Sequence, residues 1–176
     1  MKIMVIGNAG TGKSTFTRML AKETGYPVLA LDQVWHAMDY SAAAKVQLAQ
    51  VQSDFMATNG DWIIDGNYSG TMPVRLAQAD VVVLLKCPRV VSIARVIRRS
   101  LRFRRDPATR PDMNPEFKEH FDRDYLDFMF FIWGYPRRFK QHTAPLLQEF
   151  HGRYGIMTAR NQRQKAARMR QLIALD

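Results

Sequence analysis

Gly7-Asn8-Ala9-Gly10-Thr11-Gly12-Lys13-Ser14-Thr15 is the stretch from which the rest of this chain can be read. The apolar run Ile3-Met4-Val5-Ile6 precedes it, and Phe16-Thr17-Arg18-Met19-Leu20-Ala21-Lys22 follows with the character of a helix. A strand, a glycine loop, Lys-Ser and a helix form the context in which G-x-x-x-x-G-K-[ST] cradles phosphate. Glycines let the backbone wrap an anion without Cβ clashes. Successive N–H groups and the helix N-terminus then converge on the phosphates. Lys13 brings a mobile positive charge to the β and γ oxygens, and the Ser14 hydroxyl is placed to ligate Mg²⁺. Residues 7–15 are therefore the expected nucleotide-binding set, with ATP and Mg²⁺ the expected ligands.

The 176 residues suit one domain, 1–176. A 47% hydrophobic composition is enough for a core and excludes a wholly disordered chain. No charged-then-apolar leader and no run of 18 apolar residues is present, so the expectation is a cytoplasmic protein without a membrane partner. Cys87 is the one cysteine, which excludes an internal disulfide and a cysteine zinc cluster. The four histidines lack metal-like spacing.

The net charge of +10 is unevenly placed. Residues 1–85 carry 6 Lys/Arg against 7 Asp/Glu, whereas residues 86–176 carry 20 against 9. Three readings stay open: a nucleic-acid surface, arginines closing over ATP phosphates, or a solvated face.

Outward from the glycine loop the chain alternates strand and helix. The pattern predicts strands at 2–6, 27–31, 62–64, 81–85 and 154–157. It predicts helices at about 13–24, 41–58, 72–78, 88–102, 115–133, 136–150 and 161–175. Asp32 is expected at the end of the second strand and Asp65 at the end of the third, where α/β proteins gather functional side chains. Asp65 is the expected ligand of a Mg²⁺-bound water. Asp32 is the expected proton acceptor from a hydroxyl, or a second aid to Mg²⁺. Ala44, Leu48, Val51 and Phe55 make one predicted apolar stripe; Val90, Ala94, Ile97 and Leu101 make another, beside a basic stripe of Arg95, Arg98, Arg99 and Arg102. Phe128–Trp133 reads as a buried helix face. Residues 103–115, with Arg104, Arg105 and Arg110 among three prolines, have no periodicity and read as a mobile loop.

The tight glycine spacing, Trp62-Ile63-Ile64-Asp65-Gly66, Leu85-Lys86-Cys87-Pro88 followed by Arg95 and Arg99, and Thr143-Ala144-Pro145-Leu146 together resemble the nucleoside monophosphate kinase group, adenylate kinases included. The resemblance covers nearly the whole chain. It implies an α/β P-loop NTPase fold, a five-stranded parallel sheet with helices on both faces. It also implies a short arginine-rich lid at about 103–115 and an acceptor-side helical region at about 33–60. Lys13, Asp32, Asp65, Arg95 and Arg99 become the expected catalytic residues; Arg95 and Arg99 also join the nucleotide-binding set, and Ser14 and Asp65 the metal set. Arg123, Arg137 and Arg138 are further phosphate candidates.

Leu31-Asp32-Gln33-Val34-Trp35, Trp62–Tyr68, Arg110-Pro111-Asp112-Met113 and Trp133–Tyr135 more closely resemble the adenylate-kinase-related DNA topology modulation proteins (FlaR-like). One departure from adenylate kinases stands out. Those enzymes hold the acceptor phosphate with an arginine after the second strand and another after the Asp-Gly pair. Here those places read Gln33-Val34-Trp35-His36 and Asn67-Tyr68-Ser69. The expected function is thus an ATP-dependent kinase acting on an unidentified small molecule, its acceptor hydroxyl-bearing, neutral and partly apolar. The alternative is an ATP-binding regulatory or DNA topology modulation protein with little or no kinase activity. Arg75 is the residue that could restore a monophosphate site.

Overall fold

The computed structural model describes residues 1–106 and 122–175. Five strands, β1 (Lys2–Gly7), β2 (Val28–Ala30), β3 (Trp62–Asp65), β4 (Val81–Leu85) and β5 (Gly155–Ala159), form one parallel sheet in the order β2-β3-β1-β4-β5. β1, β3 and β4 are almost entirely buried, as continuous apolar runs covered on both faces should be. One face packs Met4, Ile6, Trp62, Ile64, Val82 and Leu84 in a cluster with Leu48 and Leu147. The other packs Ile3, Val5, Ile63, Val81 and Val83 with Phe16, Leu20 and Leu172. This is the expected α/β fold with helices on both faces.

The helices are α1 (Lys13–Thr24), α2 (Leu31–His36), α3 (Ala42–Thr58), α4 (Met72–Leu76), α5 (Arg89–Arg105), α6 (Arg123–Trp133), α7 (Tyr135–Arg138), α8 (Ala144–Gln148) and α9 (Gln162–Leu175). None of the described helices is long and apolar enough to cross a membrane. The expected lid at 103–115 contributes Phe103–Arg105 to the last turn of α5, and its residues 107–115 lie outside the described residues, as does the expected start of the helix ending at Trp133.

Five expectations are corrected. The second strand stops at Ala30, and Asp32 lies in the first turn of α2, because Leu31 turns fully into the core. Apolar runs alone do not separate a strand from a buried helix start. The inward stripe of α3 is Ala44, Leu48, Gln52 and Met56 rather than Ala44, Leu48, Val51 and Phe55. Gln52 is fully buried, with its Nε2 donating to Leu48 O (2.7 Å) and Thr71 Oγ1 (3.1 Å), so a polar residue carries core geometry that hydropathy would not assign. The inward face of α5 is Ser92, Val96, Ser100 and Phe103; Val90, Ile97 and Leu101 are exposed. Small serines let α5 approach closely: Ser92 O lies under the glycine loop, and Tyr125 of α6 donates to Ser100 Oγ (3.2 Å). In α6, Ile132 alone is buried, while Phe130, Phe131 and Trp133 are exposed. The Arg89 guanidinium covers Trp133 (4.4 Å) and that of Arg138 covers Phe131 (3.7 Å), so cations rather than core atoms meet these rings.

The expected helix at 136–150 is interrupted by a π-helical turn, Phe139–Thr143, in which Ala144 N–H donates to Phe139 O. Pro145 explains it: proline has no N–H, and its ring would clash with the carbonyl four residues back.

Candidate functional site

The glycine loop connects β1 to α1 at the carboxyl edge of the sheet. Gly7 has φ +149°, and a Cβ there would stand 2.3 Å from Leu85 O of the neighbouring strand. Gly10 has φ +74°, and its Cβ would stand 2.4 Å from Ser92 O of α5. Both positions demand glycine. Asn8 shapes the loop from within. Its Oδ1 accepts from Ala9 N–H (2.9 Å), its carbonyl accepts from Thr11 Oγ1 (2.7 Å), and its Nδ2 donates to Ile132 O of α6 (2.9 Å). Gly12 is the left-handed N-cap of α1 and carries no side-chain cap, so the first-turn N–H groups remain for an anion. Lys13 Nζ reaches back to Asn8 O (3.5 Å), while Ser14 and Thr15 are exposed on the first turn.

Asp65 closes β3 beside β1, paired in register with Val5 and with Ala30 of β2. The carboxyl is buried, which pushes its pKa up, with the Asp32 charge acting in the same direction. Lys13 and a hydrogen bond to Ser14 oppose this. Its Oδ1 is buried without a hydrogen-bond partner among the described residues. Lys13, Ser14, Asp32 and Asp65 are thus brought together. A hydroxyl, a carboxylate with an open oxygen and a phosphate cradle form an oxygen-donor set that fits Mg²⁺ bound with a nucleotide.

Asp32 faces an aromatic cluster. The Tyr68 hydroxyl donates to Asp32 Oδ1 (2.9 Å), and burial followed by the Asp32 charge keeps that phenol protonated far above its ordinary range. Trp35 packs against both Tyr40 (5.5 Å) and Tyr68 (6.0 Å), and His36 Nδ1 bonds the Tyr40 hydroxyl (3.0 Å). Tyr40 and Tyr68 have φ of 61° and 36°. Bulky residues held at positive φ cost energy and cluster where function requires a particular geometry.

Of the expected arginines, Arg95 reaches the outer side of the glycine loop, its guanidinium donating to Gly10 O (3.4 Å). Arg99 lies one turn on, lining a cleft of about 280 Å³ with Arg95, Arg98 and Arg102. Arg138 is engaged by Phe131, through its ring and its carbonyl. Arg75 does not enter the acceptor side. It is fully buried and donates to Gly66 O (2.9 Å), Asn67 O (2.7 Å) and Tyr68 O (3.3 Å), fixing the loop after β3. Burial lowers its pKa, against the pull of Asp65 and Tyr68.

Sequence reasoning set Asn67 only where adenylate kinases carry an arginine, and gave Lys165 no role. Asn67 pairs with the backbone of Gly7 in both directions: Gly7 N–H donates to its Oδ1 (3.0 Å), and its Nδ2 donates to Gly7 O (2.8 Å). Lys165 of α9 donates from Nζ to Thr11 O. Each reaches the loop from a distant part of the chain, so local spacing carries no sign of the contact.

This sheet order, with the glycine loop between the central strand and α1, defines a P-loop NTPase fold of the kinase-like kind. Residues 1–94 match the ethanolamine utilisation–propanediol utilisation family (PduV-EutP), and the chain belongs to that family. Curated proteins yield no match. Among solved structures it is similar to shikimate kinase from Bacteroides thetaiotaomicron, with 15% identity and a TM-score of 0.60, covering 98% of this chain and 96% of that one. It is also similar to deoxyadenosine kinase from M. mycoides, with 14% identity and a TM-score of 0.53, covering 100% of both chains. An uncharacterized protein from Eubacterium ventriosum has 13% identity and a TM-score of 0.55, covering 99% of this chain and 98% of that one. At such identities the likeness is one of fold.

Proposed function

We propose that this chain is an ATP-dependent phosphotransferase that moves the γ-phosphoryl group to a hydroxyl of a small, neutral, partly apolar molecule. The observation that carries the reading is the open, buried oxygen of Asp65 beside Ser14 and Lys13, with Asp32 across from it. Buried polar atoms without partners call for an explanation, and a Mg²⁺-bound water supplies one. Two fold neighbours, shikimate kinase and deoxyadenosine kinase, lend support.

In this reading residues 1–176 are one catalytic domain, with residues 33–60 on its acceptor side. The backbone of residues 7–15 holds the β-phosphate, and Lys13 spans the β and γ oxygens. Mg²⁺, held by Ser14 and through water by Asp65, would neutralise charge developing on the transferred group. Asp32 accepts the proton as the acceptor oxygen bonds to the γ-phosphorus and the bond to the ADP oxygen breaks. Tyr68 fixes the carboxylate for that task. Arg95 and Arg99 supply positive charge on the α5 side. Trp35, Tyr40 and Tyr68 receive the apolar part of the acceptor, and Arg75 donates to backbone carbonyls, so among the described residues no arginine of this side awaits a second phosphate.

A transfer screen with γ-labelled ATP tests the reading over nucleosides, monophosphates and small alcohols, ethanolamine and propanediol included because the family's name contains them. Transfer to a hydroxyl compound, lost in Asp32→Asn, supports it. AMP phosphorylated at about 1–100 per second would overturn the neutral acceptor. A screen without any acceptor, alongside saltable binding of duplex DNA, would favour the regulatory alternative suggested by the DNA topology modulation resemblance.

A further inference from the structure

The carbonyls of the glycine loop meet three cations from three parts of the chain. Lys13 of α1 reaches Asn8 O, Arg95 of α5 reaches Gly10 O, and Lys165 of α9 reaches Thr11 O. Lys13 has its task at the phosphates. Lys165 is different: it is buried, and among the described residues no carboxylate pairs with it. Burial lowers its pKa, and the nearby Arg95 charge lowers it further. A buried ammonium beside a second cation is costly, so its placement calls for a gain elsewhere.

Peptide geometry shows where that gain lies. Thr11 C=O and Gly12 N–H belong to one planar trans peptide and point in opposite directions. A cation anchored on the oxygen therefore leaves the Gly12 N–H aimed away from Lys165. The ammonium also polarises the peptide, making that N–H a stronger donor to an anion. Gly12 leaves room for this: a Cβ there would stand 3.1 Å from Lys165 Nζ. α9 is well held for the task, with Asn161 Oδ1 capping its first turn at Gln164 N–H (2.9 Å) and Leu172 packed in the core with Phe16 and Leu20 of α1.

We propose that Lys165 is a positioning residue for nucleotide binding, orienting and polarising the Gly12 amide from behind the glycine loop. This rests on the loop binding a nucleotide phosphate, as argued above. It assigns the last helix a part in the donor site although α9 carries no phosphate-binding motif.

The test pairs calorimetry of Mg·ADP binding with the nitrogen–proton spectrum of the ligand-free protein, for wild type, Lys165→Met, Lys165→Gln and Lys165→Arg. Charged hydrogen bonds carry enough energy that Lys165→Met should weaken Mg·ADP about tenfold or more. The Thr11 and Gly12 amide resonances should shift in the free protein, Lys165→Gln should recover little, and Lys165→Arg should recover most of the affinity. Should Lys165→Met fail to fold, Lys165→Gln and Lys165→Arg decide the matter. Unchanged affinity with an unmoved Gly12 resonance would overturn the proposal. So would full affinity in Lys165→Gln, since charge would then be irrelevant. If wild type itself binds no Mg·ADP, the phosphotransferase reading falls, and the Gly12 resonance in the free variants still judges the role of Lys165.

Discussion

In the proposed phosphotransferase the donor and acceptor sides lie next to each other and are built by opposite means. On the donor side the backbone carries the chemistry. Its N–H groups would be the ligands, Gly7 and Gly10 permit their approach to neighbouring elements, and Asn8, Asn67, Arg95 and Lys165 hold the loop from around it. On the acceptor side the side chains carry it. Asp32, Trp35, His36, Tyr40 and Tyr68 meet at an exposed surface, and two of them sit at positive φ. The contrast teaches that in this reading phosphate recognition is general and rigid, while acceptor recognition is particular and rests on a few rings and one carboxylate.

Substitutions on the two sides should therefore fail differently. The largest effect is expected from Lys13→Ala, because no neighbouring group replaces its charge between the β and γ oxygens. Turnover should fall by about a hundredfold or more, with nucleotide affinity reduced as well. Calorimetry and an ADP-release assay check this; wild-type values in both would remove Lys13 from the donor side.

Asp32→Asn should lower acceptor-dependent turnover by about a hundredfold, the range of a lost general base, while Mg·ATP binds as before. Equal loss of nucleotide affinity would blur the division between the sides.

Arg75→Met sharpens the boundary, since Arg75 braces the loop that carries both Asn67 and Tyr68. Three carbonyls would lose a charged donor, at a cost of about 3 kcal/mol in stability. Chemical denaturation measures it. A loss of monophosphate phosphorylation with unchanged stability would instead make Arg75 an acceptor-site residue.

The smallest effect is on ligand-free stability, in Asp65→Asn. Burial raises the Asp65 pKa, so the folded state holds that proton more tightly than the unfolded chain does. The stabilisation is complete below the ordinary carboxylate pKa and is lost as pH rises through the raised folded value. At neutral pH, well above the ordinary carboxylate range, the buried carboxyl is therefore a burden, and Asp65→Asn should melt higher than wild type without ligand. With Mg·ADP the order should narrow or reverse. Melting curves across pH, with and without Mg·ADP, decide; a lower ligand-free melting temperature in Asp65→Asn at neutral pH would contradict the assigned burial effect.

The sequence alone determined the strands, the glycine loop, the Ser41 cap of α3 and the sites of Asp32 and Asp65 to within a turn, because each depends on neighbours a few residues away. Ser41 accepts from Ala44 N–H as its position before an amphipathic stretch implies. Tertiary structure decided the rest. Hydropathy put Val90, Ile97 and Leu101 of α5 inward, but close packing on the glycine loop favours the small Ser92, and Ser100 meets Tyr125 of α6. Hydropathy likewise buried the aromatic run of α6, whose rings instead meet arginines from elsewhere in the chain. Arg75, an open candidate by position, is consumed by three carbonyls of its own loop. Asn67 joins Gly7 across 60 residues, and Lys165 joins Thr11 across 154. Such contacts follow from which elements the sheet order sets side by side, and a periodicity confined to one helix or strand carries no record of its neighbours.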